Sequence, residues 1–446
     1  MAKKLTGIEI YKLLPRTNCG DCGFSTCMAF AMQVAAKKVA LDKCPHVSEE
    51  AKAALGEAQA PPMRTVTIGT GDRAWTVGGE TVLFRHEEKF HRPCAVAVRF
   101  SDDLPAEELA AKVKEASGLR FVRIGQEIGV NLIAVEHRGG DFPAAVGIAR
   151  ENTDLPLVLI CEDPDTMGKA LEACGDSRPL LYPATSSNLE AMAALAKERS
   201  CPLGVRGKDA EELAQLTPKL KELGVEDLIL HPAAEGLAGT HAELVRLRRL
   251  ALKKTFRPVG YPTLAVVEGD DPFEVAAQAT AYICKYASVV VLPPVGPEAA
   301  LALLTVRQNI YTDPQVPLAI EAKLYEVGEP DENSPVLVTT NFALTYFTVE
   351  GEVERSKVPA YIAVVDTEGL GVLNAYADDR LTAEKIIKTL KEYGVMERVR
   401  HKKVIIPGLV AVLKMEIQEE TGWEVIVGPE DAAGIPSFLK NEWNPN

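Results

Sequence analysis

Four cysteines within 26 residues carry the densest chemistry in this 446-residue chain. Cys19, Cys22, Cys27 and Cys44 are spaced C-x2-C-x4-C-x16-C, in the run NCGDCGFSTCMAFA followed by DKCP. Thiolates at such spacings bind iron–sulfur clusters or zinc. The unequal spacing, without histidines or two C-x2-C pairs, favours a [4Fe–4S] cluster over a zinc knuckle. Gly20 and Gly23 let the backbone turn tightly around a compact inorganic core. Ser25 reads as an N-cap and TCMAFAMQVAAKKVA as the helix it starts. Cys27 then falls in the first turn, where partial positive charge favours a thiolate. Pro45 directly follows the last cysteine, as in many cluster-binding runs.

These residues need elements to hold them. The length fits two or three domains, and a hydrophobic fraction of 47% is ample for large cores. No apolar run reaches the roughly 18 residues of a membrane span. The start, MAKKLTGIEIYKLL, lacks the apolar core and cleavage site of a secretory signal, so a cytoplasmic location is expected. The other five cysteines (Cys94, Cys161, Cys174, Cys201, Cys284) are scattered and odd in number, and read as buried thiols in a reducing compartment. A net charge of −14 argues against a nucleic-acid partner.

Residues 1–57 are expected to be a small helical cluster domain, stabilised in part by its metal centre. Residues 58–63, within GEAQAPPM, read as a linker. RTVTIGT and WTVGGETVLF, around a turn at Gly71 and Asp72, predict an antiparallel hairpin. From 94 to 325, eight β-rich runs alternate with amphipathic helical runs. They are CAVAVRF, NLIAVEH, LPLVLICED, RPLLYPA, CPLGVRG, DLILHP, PVGYPTLAVV and SVVVLPPV. Their number and spacing favour a (β/α)8 barrel over an open sheet, so 64–325 is assigned to hairpin plus barrel. Polar residues at the predicted strand ends are Glu136, His137, Glu162, Asp163, Thr185, Ser186, Ser187, Arg206 and His231. They suit acid–base chemistry or a polar rim that caps the barrel or meets another subunit.

The acidic, proline-bearing stretch EVGEPDENSP marks the next boundary, and 326–446 reads as a Rossmann-like α/β domain. Its strands are PVLVTTN, PAYIAVVDTEG, KKVIIPG and WEVIVGP. Ligands on such sheets bind beyond the strand carboxyl ends. The loops there hold Thr339, Thr340 and Asn341; Glu368, Gly369, Leu370 and Gly371; Pro407, Gly408 and Leu409; and Ala433, Gly434, Ile435 and Pro436. They are neutral and glycine-rich, suiting a large, flat, amide-bearing ligand held by backbone groups. A phosphate loop is absent, since neither G-x-x-x-x-G-K-[ST] nor G-x-G-x-x-G occurs.

With NCGDCGFSTCMAFA at its head and VTTNFALTYF and DTEGLGV near its end, the chain resembles the corrinoid iron–sulfur protein family, in its large (gamma) subunit. The resemblance covers the whole chain. It implies a [4Fe–4S] cluster on Cys19, Cys22, Cys27 and Cys44, and a corrinoid (cobamide) on the last domain. The corrinoid contacts would come from 339–346, 368–373 and 433–436, adding Thr345, Tyr346, Val372 and Leu373 to the loops above, with Thr340 and Thr345 as the leading polar contacts. It implies a methyl carrier of the Wood–Ljungdahl acetyl-CoA pathway. Corrinoid Co(I) would take the methyl of methyltetrahydrofolate from a methyltransferase and give it to acetyl-CoA synthase. The cluster would return Co(II) to Co(I), and a small subunit would complete a heterodimer. No D-x-H-x-x-G motif is present, and only His401 lies in the proposed corrinoid domain, so the cobamide is expected base-off without a protein histidine ligand. Two rivals remain from the residues: an electron-transfer subunit without corrinoid, and a pterin-dependent barrel methyltransferase.

Overall fold

The computed structural model describes residues 6–35, 39, 41–48 and 61–445. The far end of the expected cluster helix at 36–38, residues 49–57 of the expected first domain, and 58–60 of the expected linker lie outside them. The chain divides into two compact units, one of 1–121 and 128–311, the other of 122–127 and 312–446.

The first unit opens with a helix over Gly7–Leu13, started by a capping box between Thr6 and Glu9. A second helix covers Cys27–Ala35. Its cap is Thr26, one residue after the expected Ser25, because the Thr26 hydroxyl accepts from Ala29 N at 3.1 Å. Ile10, Leu14, Phe30, Ala31 and Val34 form a small core together with Cys22, Cys27 and Cys44.

Strands β1 (Thr65–Ile68) and β2 (Trp75–Gly78) form the expected hairpin, with Thr65 opposite Gly78. All eight expected barrel strands form: β3 (Ala95–Ser101), β6 (Leu132–Glu136), β7 (Leu157–Ile160), β8 (Leu180–Ala184), β9 (Leu203–Gly207), β10 (Leu228–Pro232), β11 (Leu264–Val266) and β12 (Val289–Leu292). A second hairpin, β4 (Arg120–Arg123) with β5 (Gln126–Gly129), was not legible in the pattern. Each parallel strand pairs with the next and β12 pairs with β3, while a bridge between Leu230 and Thr263 joins β10 to β11. The sheet thus closes on itself as a barrel.

Side chains alternate across the barrel wall. Ala95, Ala97, Leu132, Ala134, Val158 and Val289 share one core with Val66, Ile68 and Val77 of the hairpin. Val96, Val98, Ile133, Val135 and Leu159 pack instead with the surrounding helices. Hairpin residue Gly69 donates to Arg178 O, just before β8, and Arg64 donates to Gly260 O, before β11. The hairpin therefore plugs the amino-terminal end of the barrel and leaves the carboxyl end as its mouth. Burial pushes the Cys94 thiol up to about 12 and Cys174 up to about 11, so these are inert core thiols.

The second unit carries a five-stranded sheet. It comprises β13 (Leu324–Val327), β14 (Val336–Thr340), β15 (Ala360–Val365), β16 (Lys403–Ile406) and β17 (Glu424–Val427). The order is β13-β15-β14-β16-β17, parallel except for the edge strand β13. That edge strand corrects the expected boundary at 325/326. Leu324–Val327 pairs with β15, so the division falls after Tyr311 and EVGEPDENSP lies inside the unit. One sheet face packs on the helices Ala383–Glu392 and Lys414–Thr421, the other on Ala343–Ser356 and Ile435–Asn441.

His231, at the end of β10, is 8% exposed, and its Nδ1 lies 2.5 Å from the Tyr182 hydroxyl. Burial, aided by the Arg206 charge, pulls it down to about 3. An unfolded histidine titrates near ~6.5, so between these values only the unfolded chain takes the proton. Barrel stability is therefore full above pH ~6.5 and falls toward pH 3, by up to ~1.4 kcal/mol per pH unit from this group. Urea unfolding between pH 7.5 and 5 should show that slope, and His231→Gln should flatten it.

Candidate functional site

The thiolate segment is built by turns and a helix start. Gly20 and Gly23 adopt φ of +84° and +82°, and Gly23 N donates to Gly20 O at 2.8 Å. A Cβ would strain either position, which explains glycine after each of the first two cysteines. The Cys27 N–H at the helix start donates to Asn18 Oδ1 at 2.8 Å. Cys44 follows a short 3-10 turn over Leu41–Lys43 and donates to Leu41 O at 3.0 Å. Cys22, Cys27 and Cys44 are buried, whereas Cys19 is exposed. Three soft ligands in one small core, with a fourth at its edge, fit a cluster ligated by four thiolates. Sequence reasoning missed Asp21 and His46. His46 Nε2 lies 2.5 Å from Asp21 Oδ2, and both lie beside Cys19, the three ligand atoms falling within 4.8 Å of one another. The hydrogen bond from His46, with a smaller one from Cys19, holds the Asp21 carboxyl below the usual range.

In the second unit, the strand order reverses at β14, which has β15 on one side and β16 on the other. The connection after β14 runs along one face of the sheet and that after the neighbouring β16 along the other, so a crevice must open between their carboxyl ends. A cavity of 390 Å³ occurs there. Its walls are Leu337, Val338 and Thr339 of β14, Ile405 and Ile406 of β16, and the loops after β15, β16 and β17. Of the expected ligand residues, the cavity brings together Thr339, Thr345, Gly371, Val372, Leu373 and Ile435.

The others have different neighbours. Thr340 is buried outside the lining; its hydroxyl has no partner, and nothing in the structure explains this. Tyr346 turns into the sheet core, where its hydroxyl donates to Glu350 at 2.7 Å. Glu368 pairs with Arg380 at the surface. Gly369, at φ +79°, would drive a Cβ to 2.8 Å from Pro317. Leu370 packs against the core. Gly408 is pinned against the 428–430 backbone, which a Cβ would meet at 2.6 Å. Ala433, Gly434 and Pro436 lie just off the wall formed by Ala432 and Ile435. Asn341 organises the site from behind. Its Oδ1 accepts from Thr367 N, Thr367 Oγ1 and Gly369 N at 2.9–3.0 Å, and its Nδ2 donates to Asp366 at 2.9 Å.

Pro407 and Leu409 of the expected third loop also line it, whereas sequence reasoning missed Val349, Asn374 and the turn Gly428, Pro429 and Glu430. The turn after WEVIV was a findable signal, since every strand end beside a switch point is a candidate wall.

Two features of the lining point to a ligand. The Thr339 hydroxyl is buried in the wall without a partner, whereas buried polar atoms are nearly always paired. The helical starts after β14, β15 and β16 also lack side-chain caps, at Phe342, Gly371 and Pro407, whereas the 3-10 turn after β17 is capped by Asp431, which accepts from Ala433 N at 3.0 Å. In the barrel four helices are capped by Asp141, Asp163, Asp209 and Asp271, and those starting after Pro105, Asn188 and Glu235 are not. Uncapped starts leave backbone N–H groups free for acceptors brought by a ligand. His401 is the one histidine of this unit. It lies before β16, with Nε2 2.9 Å from Ser334 O and Nδ1 accepting from Lys403 N, at the opposite end of the sheet from the cavity.

Four clustered thiols ahead of a barrel, and a backbone-lined cavity at the switch point of a separate sheet, define a two-centre cofactor-carrying protein. A family model described as CO dehydrogenase/acetyl-CoA synthase delta subunit matches residues 65–439, and an Fe-S cluster model matches residues 14–46. The chain is 50% identical over 439 residues to the corrinoid/iron-sulfur protein large subunit of Moorella thermoacetica, covering 98% of each chain. It is 39% identical over 457 residues to the acetyl-CoA decarbonylase/synthase complex subunit gamma of Methanopyrus kandleri, again covering 98% of each. Among solved structures it aligns with a Xanthomonas albilineans dihydropteroate synthase at 14% identity and TM-score 0.37, over 53% of this chain and 100% of that one. The chain belongs to the family of corrinoid/iron-sulfur protein large subunits.

Asn341→Ala removes the acceptor for two backbone N–H groups and one hydroxyl. At about 1–3 kcal/mol for each buried group left unpaired, loosening of the 366–371 loop by ~3 kcal/mol or more is expected. Hydrogen exchange should lose protection across 366–371 and keep it in β3 and β6.

Proposed function

We propose that this chain is the methyl-carrying large subunit of a corrinoid/iron–sulfur protein in the acetyl-CoA pathway. A cobamide would sit at the cavity of the second unit, and a [4Fe–4S] cluster on Cys19, Cys22, Cys27 and Cys44. The observation that carries this reading is the unpartnered Thr339 hydroxyl in the cavity wall. When bound, a cobamide supplies a low-valent cobalt nucleophile for methyl transfer, and the cluster supplies single electrons that restore it.

The chain's own part is binding, orientation and exclusion of water. Leu337, Val349, Ile405 and Ile435 give the cavity apolar walls. Thr339 and Thr345 offer hydroxyls, and the uncapped starts at Phe342 and Gly371 offer backbone donors to peripheral amide groups. The cavity is too small for a whole cobamide and would take part of it. Exposed Leu373, Leu409, Val412 and Met415 supply apolar surface for more of the ligand or for a covering subunit. With both nitrogens of His401 engaged elsewhere, we infer a base-off cobamide with no histidine beneath cobalt. A weak lower ligand eases reduction of the metal.

The partners follow from the same reading. A small subunit completes a heterodimer, a methyltransferase delivers the methyl from methyltetrahydrofolate, and acetyl-CoA synthase receives it. None of the nine cysteines is in a disulfide, which supports a reducing, cytoplasmic setting. No described helix is long and apolar enough to cross a membrane.

Anaerobic purification with the co-purifying partner should give about one cobalt and four irons per chain, with the absorbance of base-off cobamide beneath the cluster band. Iron without cobalt would overturn the methyl-carrier reading. Thr339→Val gives a sharper test because two readouts move oppositely. Replacing an unpartnered hydroxyl by a methyl should leave the cobamide-free unit as stable or up to ~1 kcal/mol more stable, while cobalt retained after gel filtration falls. Unchanged cobalt with raised stability would remove Thr339 from the site.

A further inference from the structure

The chain enters the second unit at residue 312, and the stretch that follows is fastened to the elements around the cobamide cavity. Ala319 forms an antiparallel bridge with Phe342. Ile320 N donates to Asn341 O at 2.9 Å, and Ala343 N donates to Leu318 O at 2.8 Å. No side chain caps the helix Ala343–Ser356, so the Leu318 carbonyl serves its first N–H. Pro317 and Ala319 lie against Gly369, where an added Cβ would meet theirs at 2.8 and 3.3 Å. Residues 317–320 thus form a strap held at three points. It is otherwise weakly buried: Pro317 and Ala319 are exposed, while Ile320 packs partly against the core.

No strap residue lines the cavity, yet all three points belong to elements that do. Asn341 directly follows β14, whose Thr339 is in the wall. The helix carries Thr345 and Val349 into the lining, and the loop of Gly369 runs on into Gly371, Val372 and Leu373. Asn341 ties two of the points together, since its Oδ1 accepts from Gly369 N at 2.9 Å while its backbone oxygen takes Ile320 N. Gly371 reaches the third, because a Cβ there would lie 3.5 Å from Phe342 and 3.6 Å from Thr345. A ligand that settles Thr345 and Gly371 therefore settles the seat of the strap. Segments that share a seat are coupled: ordering one lowers the cost of ordering the other.

We propose that residues 317–320 are a positioning strap for the cobamide site, fastened when the cavity is filled and loosened when it is empty. This rests on the cobamide reading above and adds to it a coupling between the cofactor and the connection to the barrel unit. With the strap fastened, the connection after Tyr311 ends at Pro317. With it loose, the connection runs on to β13 at Leu324. Each residue added extends its reach by up to about 3.3–3.6 Å, so an empty carrier unit has a longer tether than a loaded one.

The test compares the purified full-length complex without corrinoid and after loading with cobinamide, a corrinoid that has no lower base. Cobalt is counted in each sample. Hydrogen exchange over 317–322 should slow at least about tenfold on loading, while β3 and β6 stay unchanged. Coupling is reciprocal, so a weakened strap must weaken cobinamide binding. Ile320→Pro removes the N–H that reaches Asn341 O. Pro317→Gly removes no hydrogen bond but makes the strap costlier to order. Each should raise the dissociation constant for cobinamide about five- to tenfold, whereas Val316→Ala, outside the strap, should leave it unchanged. In Pro317→Gly, exchange in β16 and β17 should match the unaltered chain, which a general loss of stability would not allow. Loaded protein whose strap exchanges as fast as in the empty protein overturns this inference alone. Undiminished cobinamide affinity in Pro317→Gly does the same, whether or not Ile320→Pro folds. A complex that takes up no cobinamide overturns both this inference and the methyl-carrier reading.

Discussion

The reversal of strand order at β14 is the constraint on which the second unit depends. The chain leaves β14 toward β15 on one side, then returns to place β16 on the other. The connections after β14 and β16 run along opposite faces, so the sheet opens between their carboxyl ends whatever side chains it carries. The sequence then decides what the opening is good for. Small and apolar residues line it, side-chain caps are missing from the helical starts after β14, β15 and β16, and Thr339 places a hydroxyl in its wall. Asn341, one residue past β14, gathers the returning loop through one carboxamide. Backbone donors are thereby held in place without any catalytic side chain, which suits a protein whose reactive atom belongs to a cofactor.

The thiolate segment obeys a different constraint. Its core of a few side chains is too small to be stable by apolar burial alone. Three of its four clustered cysteines are part of that core, so ligation by these thiols would be coupled to folding. The exposed position of Cys19 leaves one edge of the segment open to solvent. An electron-transfer centre needs such an edge, whereas a purely structural metal site does not.

The barrel lies between these two segments in the chain. A hairpin stops its amino-terminal end with apolar residues, and the carboxyl end keeps a balanced set of arginines and glutamates. Buried Arg99 and His231 are expensive to place in a scaffold with no ligand, since each must be fully satisfied where it sits. Arg99 achieves this with Glu268 and Glu136, while His231 has one nitrogen turned to Tyr182.

The sequence by itself determined the elements and the ligand chemistry. Eight β-rich runs alternating with amphipathic runs are a local signal, and all eight became barrel strands. The cysteine spacing, the turning glycines and the missing cobalt-ligand motif are equally local. The edge strand Leu324–Val327 and the hairpin at 120–129 escaped because both are short and half exposed, so their apolar periodicity is weak. What only the tertiary structure decided is which loop residues meet. Thr339 lines the cavity and its neighbour Thr340 does not, although both are buried at the carboxyl end of β14. Thr345 and Val349, one turn apart on the helix Ala343–Ser356, reach the cavity while Tyr346 between them turns into the core, since helix rotation against the sheet sets which side chains face the opening. The Gly428–Glu430 turn joined the wall only because β17 lies beside β16. Strand order is fixed by packing across the whole unit, and no window of sequence contains it.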